Sequence, residues 1–106
     1  MAKYLFEVSY TVDGIKGVKA KGGSARLAAA KAAVESAGGK FDSYYFAFGG
    51  TDVYVIADFP DNVSAASLTL TVAAGGGATV KTVVLVTPEE IDQAAQKSVS
   101  YSPPGS

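Results

Sequence analysis

The chain contains 106 residues, carries a net charge of −1 and has neither cysteine nor histidine. This length predicts a single domain over residues 1–106, and the near-neutral charge argues against nucleic acid or a membrane surface as a partner. Without thiols and imidazoles the chain lacks catalytic triads and the usual zinc ligands, so we predict no metal site and no cofactor. The N-terminus has no secretory signal and no apolar run could span a bilayer, so we expect a cytoplasmic protein.

The first third of the chain predicts one strand and one helix. Residues 3–10 place large apolar or aromatic side chains at alternate positions, which is typical of a strand with one buried face. Residues 11–23 contain four glycines, so we expect a loose helical turn or a loop there and no robust helix. The alanine-rich segment 24–37 predicts a helix that Gly38 and Gly39 end. Its predicted buried stripe consists of Leu27, Ala30, Val34 and Ala37.

The sequence YYFAFGGTDVYVIADF predicts a β-hairpin. Residues 41–48 and 52–59 are rich in aromatic and β-branched side chains, and they flank Gly49 and Gly50, which can adopt the positive φ of a turn. Both faces of these strands are too apolar to be freely solvated. The helices of one chain can cover one face, and we expect a second protomer to cover the other. The pattern therefore predicts a homo-oligomer that is at least a dimer.

The second half predicts a helix, a strand and another helix. After Asp61, a good N-cap, the spacing of apolar residues favours a helix, although SLTLTV also alternates as a strand does. The residues Val63, Ala66, Leu70 and Ala73 fit this helical spacing. Residues 80–86 predict a valine-rich strand. The sequence TPEE from Thr87 predicts a capping box and a short helix with Ile91, Ala94 and Ala95 facing inward. The tail SVSYSPPGS predicts no regular structure.

The order of these elements is that of the ferredoxin-like βαββαβ fold. This α+β fold has a four-stranded antiparallel sheet with two helices on one face. Here an extra C-terminal helix follows the last strand.

Several segments together resemble the GYD-domain family. They are KYLFEVSYT, GGSAR, GGKFDSYYFAFGGTDVYVIADFPDN, KTVVLVTPEE and SYSPPG, and they cover nearly the whole chain. The resemblance implies a ferredoxin-like fold of the dimeric α/β-barrel type, and it brings no established activity. The Gly-Tyr-Asp triplet of the family corresponds here to Gly50, Thr51 and Asp52, so a role of the tyrosine ring does not carry over.

Charged and hydroxyl side chains on the strands are the candidates for a binding site. Asp52 beside the hairpin glycines suits either a pocket rim or a turn that binds backbone N–H groups. Glu7 on a sheet strand requires a partner, for which Lys81 is the candidate, as a structural ion pair or as a pair that binds a ligand. Tyr45 and Tyr54 suit a cavity wall or packing. The candidate ligand-binding residues are Glu7, Ser9, Tyr45, Asp52, Tyr54 and Lys81.

Arg26 is a weaker candidate for anion binding, because the sequence GGS precedes it at the start of a helix. The glycines at 75–77 lack the lysine and hydroxyl residue of a phosphate-binding loop, so we interpret them as a turn.

Three functions remain open from the sequence, and no residue is assigned a catalytic role. The first is a homo-oligomeric domain that binds a small molecule in a pocket between sheet faces. The second is an assembly protein whose sheet face is buried by self-association. The third is a cofactor-free oxygenase or isomerase of the dimeric-barrel type, which rests on analogy of fold.

Overall fold

The computed structural model describes residues 1–105 and confirms the ferredoxin-like α+β fold. In chain order, its elements are β1 (Ala2–Tyr10), α1 (Val12–Lys21), α2 (Gly23–Ser36), β2 (Lys40–Phe46), β3 (Val53–Phe59), α3 (Asn62–Ala74), β4 (Ala78–Leu85) and α4 (Pro88–Ala95). The strands form one antiparallel sheet in the order β2-β3-β1-β4. The predicted hairpin is confirmed as β2 and β3, with Gly49 at a φ of 145° in the connecting loop.

The hydrophobic core lies between one face of the sheet and helices α2 and α3. Alternate residues of the central strands point toward these helices, as the period of two along a strand requires. Tyr4, Phe6 and Phe59 pack with their ring centroids 5.8–6.4 Å apart. Val34 of α2 and Ala65 of α3 are buried against them.

Residues 12–21 form helix α1, where the glycine content predicted a loose helical turn or a loop. The Thr11 side chain accepts a hydrogen bond from the Gly14 N–H at 3.2 Å and caps the helix. A Cβ atom at Gly14 would lie only 2.0 Å from the Gly77 carbonyl oxygen, so this glycine lets α1 approach the turn before β4. Gly22, at a φ of 86°, ends the helix. The glycines therefore permit close packing and chain reversal, and they do not prevent the helix.

Helix α3 is present as predicted, but the residues whose spacing predicted it do not form its buried side. Two of them, Val63 and Leu70, are 79% and 70% exposed. Ala65, Leu68 and Val72 lie on the side that faces the sheet. Apolar side chains lie all around this helix, so periodicity alone did not identify the face that packs.

The chain after β4 forms an extended C-terminal arm, which we define as residues 86–105. The capping box is confirmed, since Thr87 Oγ1 accepts from the Glu90 N–H at 3.1 Å and the Glu90 carboxylate accepts from the Thr87 N–H at 2.8 Å. Every residue of the arm is exposed, including Ile91 at 54% and Tyr101 at 74%. The prediction that Ile91 faces inward is therefore wrong within one chain. Ser106, the last residue of the tail, lies outside the described residues.

The arm also gives the protein an elongated shape. The radius of gyration is 16.9 Å, whereas a compact domain of about 100 residues has a value of about 13 Å. No other segment of the chain that the structure describes buries the exposed apolar side chains of the arm.

Candidate functional site

The second face of the sheet has no helix packed on it, and we call it the open face. Its residues alternate with those of the core and are half-buried or exposed in the single chain. Two of its side chains, Tyr45 and Val83, are 71% and 39% exposed. The covering of only one sheet face was expected from the composition of the strands, and the structure shows which residues are left uncovered.

The strand registers place four of the predicted site residues in one row across the sheet. Tyr45 of β2 is opposite Tyr54 of β3, Tyr54 is opposite Glu7 of β1, and Glu7 is opposite Lys81 of β4. We call these four residues the polar row. Directly paired residues on one face have Cβ atoms about 4.5–5.5 Å apart. The row therefore combines two phenol hydroxyls, a carboxylate and an ammonium group on a single surface.

Glu7 and Lys81 are aligned but not joined by an ion pair in the described part of the chain. The sequence named Lys81 only as the candidate partner of Glu7, and the register sets the two residues side by side without a direct ion pair within residues 1–105. Glu7 is half-buried, and Lys81 is exposed on the edge strand. Both charges thus remain available to a third group.

Ser9 lies one position farther along the same face, opposite Thr79. Its hydroxyl is 3.5 Å from the Gly50 carbonyl oxygen, at the limit of a hydrogen bond. Five of the six predicted ligand-binding residues therefore share the open face, at its end near the β2–β3 loop.

An apolar band lies beside the polar row. Ile56 is opposite both Leu5 and Ser43, and Leu5 is opposite Val83. Leu5 and Ile56 are already half-buried by their neighbours. This band gives the open face a hydrophobic centre.

A charge cluster beyond the apolar band was not found by sequence reasoning. Lys3 Nζ lies 2.9 Å from Asp42 Oδ2 and 3.2 Å from Asp58 Oδ1. Hydrogen bonding to Asp42, followed by that to Asp58, raises the pKa of Lys3 above its ordinary value. The register shifts between Phe41 and Ser43, and this irregularity leaves Asp42 free to contact Lys3 while Phe41 packs on the core. Sequence patterns give no signal for such a bulge.

Asp52 differs from the other five candidates because its groups bind the backbone of neighbouring strands. Its Oδ2 atom accepts a hydrogen bond from the Tyr10 N–H at 2.8 Å, and its own N–H donates to the Val8 carbonyl at 2.9 Å. Its carbonyl accepts from the Ala47 N–H at 2.8 Å. The Asp52 carboxylate therefore binds a backbone N–H group, but that group belongs to β1 and not to the local turn that the sequence suggested. A contact of Asp52 with a ligand stays a prediction.

Arg26 lies on the other side of the sheet from the polar row. It is exposed near the start of α2, and it lines a cavity with Tyr10 and Tyr44. The structure therefore separates Arg26 from the other predicted site residues.

The open face offers hydrogen bonding and charge. No group of three carboxylates that could hold a metal ion occurs among residues 1–105. The polar row can bind a molecule that carries both hydrogen-bond donors and acceptors, and its carboxylate can also accept a proton. Within the same residues, no helix is long and apolar enough to cross a bilayer.

These features define an α+β domain of the ferredoxin-like class with one sheet face covered by helices and one open. The sequence model of the GYD domain matches residues 4–95, which is most of the chain. The chain therefore belongs to the GYD-domain family, as its sequence segments indicated. No curated protein and no solved structure gave a match.

Proposed function

We propose that this GYD-domain protein is a homodimer whose two open faces enclose a binding site for a small molecule. The polar row carries the proposal, because it sets four hydrogen-bonding side chains in one line beside the apolar band of the open face. Burying a carboxylate and an ammonium group costs free energy unless each gains a partner. A bound molecule that contacts both would offset this cost.

The chemistry of the row suggests the kind of ligand. Glu7 accepts hydrogen bonds, Lys81 donates them, and the hydroxyls of Tyr45 and Tyr54 do both. Tyrosine rings also provide flat apolar surfaces on which an aromatic ligand can stack. We expect a small, flat molecule with polar groups at opposite ends.

Association of two open faces is tested by a charge at the centre of the apolar band. Ile56→Lys should convert the dimer to monomer in sedimentation at micromolar concentration, because the lysine charge would be buried against the partner. Val63→Lys is the matched control, because Val63 is 79% exposed on α3 and far from the band. The control should remain dimeric. A wild-type protein that sediments only as a monomer would contradict the proposal.

Ligand binding is tested by native mass spectrometry of the purified dimer. Glu7→Gln should keep the dimer and lose the bound molecule, whereas Glu35→Gln on the exposed surface of α2 should keep both. A dimer without a bound molecule that becomes more stable with Glu7→Leu would instead indicate the assembly function, because a dry interface gains by losing a buried charge. If the dimer converts the bound molecule into another compound, the result would indicate the oxygenase or isomerase function.

A further inference from the structure

A cavity lies on the helix side of the sheet, opposite the open face. Its volume is about 100 Å³, and it separates α2 from α3 above the centre of the sheet. The floor is formed by side chains of all four strands, among them Phe6, Tyr44, Val55 and Val80. The cavity belongs to a single chain, so it does not depend on the proposed dimer.

The two helices leave this space because one of them carries small side chains. Ala29, Ala30 and Ala33 of α2 form one wall, and Leu68 and Val72 of α3 form the other. An apolar cavity of roughly 150 Å³ can stay dry and bind benzene. The cavity between α2 and α3 therefore fits a smaller apolar group, such as a branched chain of about four carbons.

One end of the cavity is polar. The hydroxyls of Tyr10 and Tyr44 are 3.3 Å apart, longer than the usual 2.7–2.8 Å of an O–H···O bond, so both can bind a further group. Burial, and then the hydrogen bond with Tyr10, raises the pKa of Tyr44 above its ordinary value, although the nearby charge of Arg26 acts in the opposite direction. The Tyr44 hydroxyl is therefore protonated at neutral pH and can donate.

The polar end opens into a wider cleft of about 420 Å³ between α1, α3 and the start of β4. Tyr10, Arg26, Val72 and Ala78 line both spaces, so the cleft continues the cavity to the surface. The charged side chains of the cleft are Lys21, Arg26 and Asp13, which sum to one positive charge. The entrance therefore favours an anion.

We propose that this cavity binds a small carboxylic acid, with a short branched apolar group between α2 and α3. The carboxylate accepts hydrogen bonds from the Tyr10 and Tyr44 hydroxyls and pairs with the Arg26 guanidinium. An arginine and two hydroxyl donors match the acceptor sites of a carboxylate. The apolar cavity selects the size of the remainder of the molecule.

The proposal is tested by titrating the full chain with isovalerate, and with its neutral amide isovaleramide, in an NMR experiment that follows methyl groups. Isovalerate should shift the methyl signals of Leu68, Val72 and Val80 and leave those of Val83 and Leu85 on the open face unchanged. Its amide should bind about 10-fold or more weakly, because the charge-assisted hydrogen bonds are lost. Shifts confined to the open face, equal binding of acid and amide, or no binding of the acid would overturn the proposal.

Variants distinguish the contribution of the Arg26 charge to binding from the contribution of the cavity volume. Arg26→Gln should weaken acid binding by about 10-fold or more, and Lys31→Gln, which removes one positive charge from an exposed site on the same helix, should not. Ala30→Leu should abolish binding by filling the cavity, with thermal melting as the check that it folds. Equal effects of Arg26→Gln and Lys31→Gln would show only a general charge effect and would contradict the assigned site.

Discussion

At the scale of single residues, Asp52 shows how a side chain of the family triplet acts on the backbone. Its carboxylate closes the end of the pairing between β1 and β3 by accepting from the Tyr10 N–H. The sequence placed this aspartate beside a glycine turn, which left a site residue and a turn residue equally compatible with the pattern. The backbone acceptor role became visible only when the end of β1 was located beside it.

Two substitutions of Asp52 test this role. Asp52→Asn keeps a side-chain oxygen for the Tyr10 N–H and should lower the free energy of unfolding by less than ~1 kcal/mol. Asp52→Ala leaves this N–H without its acceptor and should cost about 1–3 kcal/mol. Urea denaturation measures both. Equal losses in the two variants would show that the hydrogen bond does not stabilise the loop, and loss of a bound molecule in Asp52→Asn would favour the ligand role.

Tyr44 predicts a dependence of stability on alkaline pH. Its pKa is raised by burial and by the Tyr10 hydroxyl, so the folded chain keeps this proton when the unfolded chain releases it near its ordinary pKa of about 10. The unfolded state then binds fewer protons, so stability falls as pH rises above about 10. Tyr44→Phe lacks this proton and should lose less stability between pH 9 and pH 11 than the wild type. Chemical denaturation at each pH measures the free energy of unfolding. An equal fall of this free energy in Tyr44→Phe and in the wild type would contradict the role of Tyr44.

At the scale of elements, helix α1 shows that a glycine can be required by a contact distant in sequence. Gly14 and Gly17 are both interior positions of this helix, and neither has a positive φ. Only Gly14 lies against another segment, at the turn that contains Gly77. The helix propensity of glycine is the same at both positions, so only the contact of Gly14 with Gly77 makes their roles different.

The two glycines should respond to alanine with opposite signs. Gly17→Ala meets no atom within 4 Å and should stabilise the protein by about 0.5–1 kcal/mol, because alanine loses less backbone entropy in a helix. Gly14→Ala would place its Cβ against the Gly77 carbonyl and should destabilise by about 1–3 kcal/mol. Thermal melting of both variants checks the pair. A stabilising Gly14→Ala would mean that α1 does not pack closely on this turn.

At the scale of the whole molecule, the C-terminal arm and the open face leave apolar side chains exposed on one chain. Val99 and Tyr101 of the arm are 81% and 74% exposed. In the proposed dimer, we expect the partner to cover the open face and to bind the arm. Burying one large side chain stabilises by about 1.5–3 kcal/mol.

Removal of the tail from Tyr101 onward should therefore weaken dimerisation by about 10- to 100-fold and leave the circular dichroism of the chain unchanged. Removal of residues 103–106 keeps Tyr101 and is the matched control, which should associate as the wild type does. Sedimentation over a range of concentrations measures both. An unchanged dimer after removal of Tyr101 would show that the arm does not contribute to association.

The sequence by itself determined the order of the elements other than α1, the alternating faces of the strands, the caps of α3 and α4 and the ferredoxin-like class, because these depend on neighbours a few residues apart. It also identified the residues of the polar row as candidates for a site, but it did not show that they lie side by side in the sheet. Alignment of Tyr45, Tyr54, Glu7 and Lys81 depends on strand register, which is decided by pairing between segments distant in the chain. The packed side of α3, the contact of Gly14 and the cavity beneath Ala30 likewise required the tertiary structure, since each is set by the surface against which the element packs.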